Sequence, residues 1–211
     1  VFGAPLAWGT VVVSLAVAVG LFFLLPAYLA RLADRYVAYA LLSNLIEGVI
    51  RMVFVLGYIW AVGFLPDIER VFAYHGAEHK TVNAYEDGVP LDVAEVKKYD
   101  KAHVRCGTSF LFVVLVIAIV VFALVGRPSL WLMVLSRILL IPVIAALGYE
   151  AIHFGANHPK NPLVKAILAP GLWLQGMTTR EPEDSQIEVA ITAMEKAIEI
   201  DRAEEPPQPS S

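Results

Sequence analysis

Seven consecutive residues, Tyr74-His75-Gly76-Ala77-Glu78-His79-Lys80, carry the types and spacing that chemistry needs. On a helix, His75 and His79 stand four apart and share a face, with Glu78 beside them. Two imidazoles and a carboxylate supply most of the ligands of a divalent transition metal, zinc foremost. The order His-x-x-Glu-His is also the inverted zinc-protease pattern, in which both histidines bind the metal and the Glu is the general base. The bland alternative is a pair of ordinary polar histidines near a membrane surface. A catalytic site wants a third protein ligand and one position open to water. Glu150 is the first candidate, because a carboxylate near the end of an apolar helix is costly without a partner. His103, Cys106 and His153 are the others, and Arg105 reads as a head-group anchor or as a contact for an anionic substrate.

The elements that must position these residues are helices in a membrane. Of 211 residues, 58% are hydrophobic and 17% charged, an apolar excess over soluble domains. The pattern predicts an all-α, polytopic membrane protein with four transmembrane helices at about 6–29, 37–65, 108–125 and 130–152. A polar loop over 67–105 contains a short helix from Val93 to about His103, capped by Asp92 with Glu95. Residues 163–174 are too short to span and suit an interfacial or re-entrant helix, kinked at Pro170-Gly171. Residues 183–203 form an amphipathic helix with a stripe at Ile187, Ile191, Met194 and Ile198, Asp184 or Ser185 capping it. Residues 206–211 read as a disordered tail, and 1–205 as one integrated membrane domain. The single cysteine excludes an internal disulfide, and no basic block suggests a nucleic-acid partner.

Loop charge sets the orientation. Arg31, Arg35 and Arg127 fall on one side of the membrane, eleven Lys and Arg on the other, and Arg51 and Arg137 inside spans. The positive-inside rule places both termini and the polar loop in the cytoplasm. The five histidines then all lie at one membrane face, contributed by three segments, which favours a composite site over a lone motif.

A second constellation is intramembrane. Glu47 and Arg51 stand four apart in span two, Asn44 precedes them, and Arg137 lies in span four. Charges in the bilayer cost about 2.5–3.5 kcal/mol each, so they should meet inside the bundle, as an ion, proton or substrate path or as a polar clasp.

The runs Tyr74–Lys80 with Asn83-Ala-Tyr-Glu86, Arg105-Cys-Gly-Thr-Ser-Phe110, Gly148-Tyr-Glu150 and Thr178-Thr-Arg-Glu-Pro182 resemble the YqhQ-like bacterial membrane family. That family is of unknown function and is labelled as predicted metal-dependent enzymes. The resemblance runs from about span two to the final helix and implies a bacterial inner-membrane protein. Two departures stand out. Family members carry a Gly-Gly-Gln-Ala segment ahead of the first span, which is not in this chain, and Val104 stands where Pro is usual.

The expected activity is metal-dependent hydrolysis of a membrane-proximal substrate, with Glu78 as catalytic base and His75, His79 and Glu150 as ligands. The rival is a non-enzymatic assembly factor, scaffold or chaperone whose C-terminal helix docks a protein partner, and a transporter comes third. The bilayer is the partner common to all, and a homo-oligomer is compatible with each.

Overall fold

The computed structural model describes residues 4–33, 36–37, 39–126, 129–158 and 161–204. The predicted tail, 206–211, lies outside the described residues, as does the side chain of Arg137. Among the described residues every regular element is helical. Four helices are long and apolar enough to cross a membrane: Leu6–Ala33, Ala40–Val62, Gly107–Val125 and Ile138–Asn157. The shortest of these has 19 residues, about 28 Å at 1.5 Å per residue, close to the hydrocarbon thickness of a bilayer. Contacts gather the chain into two units, Val1–Ile59 with Phe110–Phe154, and Trp60–Ser109 with Gly155–Ser211.

In the first unit, span one consists of α1 (Ala4–Val19), a π-helical turn at Gly20–Leu24 and α2 (Leu25–Ala33). The π turn has a chemical cause. Pro26 has no N–H to give the carbonyl four residues back, that of Phe22. Arg51 on α3 (Ala40–Val62) supplies the missing donor, its Nε reaching the Phe22 carbonyl at 3.1 Å. α3 and α7 (Leu130–Asn157) each turn a glycine toward α6 (Gly107–Val125). A Cβ on Gly48 would stand 2.7 Å from Ile119, and one on Gly148 2.6 Å from Val114. Small residues at such crossings let helices approach closely in lipid.

In the second unit the polar segment is built on α4 (Pro66–Glu86), a helix of 21 residues. Pro at its first position and Asp67 and Glu69 in its first turn suit a helix N-terminus. α9 (Asp184–Glu204) lies along α4, burying Ile187 and Ile191 against Ala77, Ala84 and Val96. α9 begins differently from expectation: neither Asp184 nor Ser185 is the observed cap, and the Gln186 side chain reaches back to the Glu183 N–H at 2.9 Å. That is the returning half of a capping box.

Two expected boundaries need correction. The helix predicted from Val93 to about His103 is only one turn, α5 (Val93–Val96), although Asp92 caps it at Glu95 N as expected. Beyond Val96 the carbonyls that would extend the helix are taken by α4 side chains. Lys80 Nζ holds those of Lys97 and Tyr99, Asn83 those of Asp100 and Ala102, and His79 that of Lys101. The segment predicted at 163–174 extends through Pro170-Gly171 to Thr178 as α8 (Pro162–Thr178), with Asn161 as N-cap.

Candidate metal centre

The two motif histidines do share a face of α4, with ring centroids 4.3 Å apart. Gly76 between them explains why this helix accepts its neighbour so closely. The segment after α8 crosses α4 at Gly76, where a Cβ would lie 2.2 Å from the Arg180 carbonyl oxygen. The Arg180 N–H donates to the Phe72 carbonyl at 2.9 Å, which fixes the crossing. The crossing in turn delivers the carbonyl of Thr178 to His75.

That delivery decides the chemistry of the rings. His75 Nδ1 lies 2.9 Å from the Thr178 carbonyl, and His79 Nδ1 lies 2.7 Å from the Lys101 carbonyl. A carbonyl oxygen only accepts, so both Nδ1 atoms carry protons and both Nε2 atoms, in the neutral rings, present lone pairs. A histidine that binds metal through one nitrogen characteristically donates its other N–H to a carbonyl or carboxylate.

Cys106 comes to these lone pairs from the residue just before α6. Its Sγ lies 3.4 Å from His75 Nε2, and the Thr108 N–H approaches the sulfur at 3.4 Å. Burial pushes the thiol up. Hydrogen bonds from His75 and His79, donated when their Nε2 atoms are protonated, and from Thr108 outweigh burial and bring it down to about 5. His75 moves the other way, raised chiefly by its bond to Cys106 against the opposing effect of burial. The thiol is thus poised to be a thiolate, the form that binds metals and attacks electrophiles.

One donor atom from each of His75, His79 and Cys106 lies within 4.8 Å of the others. Bonds of about 2.05 Å to nitrogen and about 2.3 Å to sulfur at a tetrahedral angle would put N and S about 3.6 Å apart, against the 3.4 Å found. Two imidazoles and a thiolate match the three protein ligands of one class of catalytic zinc site. The residues present fit the group. All three belong to the second unit.

The other residues singled out by sequence have distinct places. Glu78 is exposed on α4 and close enough to His75 for its charge to help raise that ring. His103 is buried, but its Nδ1 accepts the Arg105 N–H at 3.3 Å, so in the neutral ring the proton resides on Nε2. That Nε2 stands 3.3 Å from Glu86 Oε1 without hydrogen-bond geometry. A ring with one nitrogen accepting and the other protonated has no lone pair to offer a metal. Arg105 pairs with Glu86 on its exposed side. Glu150 and His153 belong to the first unit, exposed on α7, where Tyr149 packs against His153. Glu47 and Arg51 are ion-paired at 2.7 Å, and Asn44 Nδ2 reaches the Phe122 carbonyl at 3.5 Å. A cavity of about 50 Å³ beside them, lined by Glu47, Arg51, Leu115 and Ile119, has room for a water or two.

Two contributors, Gln175 and Lys101, were not singled out, and Thr178 was read only as part of the run before the final helix. Gln175 is buried; it accepts the His103 N–H at 2.9 Å and donates to the His103 carbonyl at 2.7 Å and Ser109 Oγ at 2.6 Å. Thr178 and Lys101 act through backbone carbonyls, which no side-chain pattern signals. Lys80 in the motif is buried, with Glu181 at 2.8 Å beside its two carbonyls. A lysine next to two histidines was the one signal in the sequence that this face of α4 carries a polar network.

Compared with known proteins, residues 3–200 match the model of a family described as "Protein of unknown function (DUF1385)". The chain is 37% identical over 190 residues to the uncharacterized protein YqhQ of Bacillus subtilis (strain 168), covering 90% of this chain and 60% of that protein. The chain therefore spans about three fifths of that relative's length. No solved structure matches.

Proposed function

The chain belongs to the DUF1385 family of proteins of unknown function, and for it we propose a metal-dependent hydrolase at the cytoplasmic surface of the bacterial inner membrane. Its ligands are His75, His79 and Cys106, Cys106 taking the third place that the sequence offered first to Glu150. The observation that carries the reading is that two carbonyls from distant segments hold both rings with Nδ1 protonated, and that the Cys106 sulfur lies 3.4 Å from Nε2 of His75. A bound zinc ion would supply a Lewis acid and a water acidified to about pKa 7. The Thr178 and Lys101 carbonyls fix the rings and raise their basicity. Cys106 contributes the anionic donor, and Glu78 accepts the proton of the attacking water and returns it to the leaving group. His79 and Cys106 are 7% and 6% exposed, and His75 is half-buried. The excess of Lys and Arg on this side supports a cytoplasmic site with both termini cytoplasmic.

The test is metal analysis of the detergent-purified protein. About one transition metal per chain is expected, lost in His79→Ala and Cys106→Ser, and cobalt substitution should give thiolate-to-cobalt charge-transfer absorption. A folded wild-type protein that takes up no zinc or cobalt would overturn the reading.

One observation favours a second reading. A thiol near 5 at the start of a helix and beside an imidazole is also the arrangement of a Cys–His nucleophile. In that case Cys106 attacks the substrate and His75 manages the proton, with no metal bound. The scaffold alternative would use what α9 leaves exposed, Val189 and Ile200, since Ile187 and Ile191 are spent on α4 and α5.

A further inference from the structure

α8 is apolar on both faces, yet only one is buried. Val164, Leu168, Gly171 and Leu174 point inward. A Cβ on Gly155 would lie 2.7 Å from Leu168, and one on Gly171 3.1 Å from Ser109 Oγ, so this face is in close contact. The other positions hold six apolar residues, Leu163, Ala166, Ile167, Ala169, Pro170 and Trp173, and a single charge, Lys165. All six are exposed, with Leu163 at 68%, Ile167 at 62% and Trp173 at 71%. A helix in water carries polar residues on its outer face, and an apolar outer face calls for a partner.

Chain topology names the partner. Span four ends at Asn157, and residues 158–161 lead directly into α8, which packs back on the end of that spanning helix through Leu168 and Gly155. The apolar arc therefore begins within a few residues of the end of a helix long and apolar enough to cross a membrane. α8 does not itself cross the membrane. Its C-terminal end gives the Thr178 carbonyl to His75 on α4, and α4 lies between spans two and three, on the side where span four ends. With 17 residues it is about 26 Å long, and Trp173 is the residue type that settles at head-group level.

We propose that the outer arc of α8 is inserted in the head-group and acyl boundary of the bilayer, making α8 a fifth lipid-contacting helix. The bilayer surface is then the platform that positions the Thr178 carbonyl and the Gln175 side chain. This inference concerns lipid contact and stands whether or not a metal binds.

The test uses the full chain with Trp8, Trp60 and Trp131 changed to Phe, all three being more than half exposed in the native fold. It is reconstituted in phosphatidylcholine vesicles carrying bromine either high or deep on the acyl chains. Trp173 should lose the larger part of its emission to the shallow bromines and less to the deep ones. No quenching by either lipid means that water or protein covers the arc, and quenching mainly by deep bromines means that α8 crosses; either overturns the proposal. If the triple variant misfolds, the difference in quenching between native protein and Trp173→Phe reads the same quantity.

Discussion

His75 and Cys106 are 31 residues apart in the chain, yet Nε2 of one lies 3.4 Å from Sγ of the other. The contact binds the middle of α4 to the start of a membrane-spanning helix, and it makes the sulfur acidic.

The sign of the pH effect follows from the thiol. Its folded value of about 5 is below the ordinary value near 8.5, so the thiolate persists as pH falls and is lost only on passing through about 5. In chelator-treated protein, iodoacetamide should label Cys106 at a nearly constant rate from about pH 8 to about pH 6, falling at lower pH. His75→Ala removes the strongest stabiliser of the thiolate and should move the inflection upward. A native inflection in the ordinary thiol range would contradict the assigned pair.

Gly76→Ala tests the crossing of the 178–182 segment over α4. The added Cβ would meet the Arg180 carbonyl oxygen at 2.2 Å, a backbone atom with no flexible end to move aside. The segment must lift, with loss of the Arg180 bond to Phe72 and of the acceptor of His75. The expected cost is about 1–3 kcal/mol, read as a lower thermal midpoint together with reduced metal uptake. Gly176→Ala is the control, since nothing lies within 4 Å of its Cβ and a helical glycine replaced by alanine gains up to about 1 kcal/mol.

What was legible in the sequence followed from local rules. Uninterrupted apolar runs marked the four spans, and the four-residue spacing of His75 and His79 put them on one face. The π turn required recognising that Pro26 strands a carbonyl which Arg51, 25 positions later, can satisfy. The one-turn length of α5 was hidden because its competitors for hydrogen bonds, His79, Lys80 and Asn83, lie on another helix. The support of His75 was hidden more deeply still. Thr178 serves it through a main-chain carbonyl, 103 residues away, and any residue type has one.

Lys80→Met should separate the polar network from the proposed ligands His75, His79 and Cys106. The Lys80 Nζ holds the Lys97 and Tyr99 carbonyls at 3.1 and 2.9 Å and the Glu181 carboxylate at 2.8 Å, with 6% of its side chain exposed. Glu181 is 68% exposed, so losing its partner strands no buried charge. The cost is that of charge-assisted hydrogen bonds to the loop, about 1.5–3 kcal/mol. The denaturation midpoint should fall, and the rate of amide exchange over residues 97–102 should rise.

Glu47 and Arg51 give a prediction in which two changes cost less than one. Their ion pair at 2.7 Å lies in span two, with only 17% and 18% of the side chains exposed. Arg51 also caps the Phe22 carbonyl and lies over the Phe23 ring at 5.2 Å. Arg51→Met leaves the Glu47 carboxylate without its cation at membrane depth, a loss of about 2.5–3.5 kcal/mol. Changing both residues to Met removes the stranded charge and leaves the Phe22 carbonyl unmet. The double variant should therefore unfold at a higher temperature than Arg51→Met alone. Adding Pro26→Ala, which restores an N–H for that carbonyl, should recover part of the remainder. Equal midpoints for the single and double variants would show that Glu47 is solvated by lipid head groups or water rather than held by Arg51.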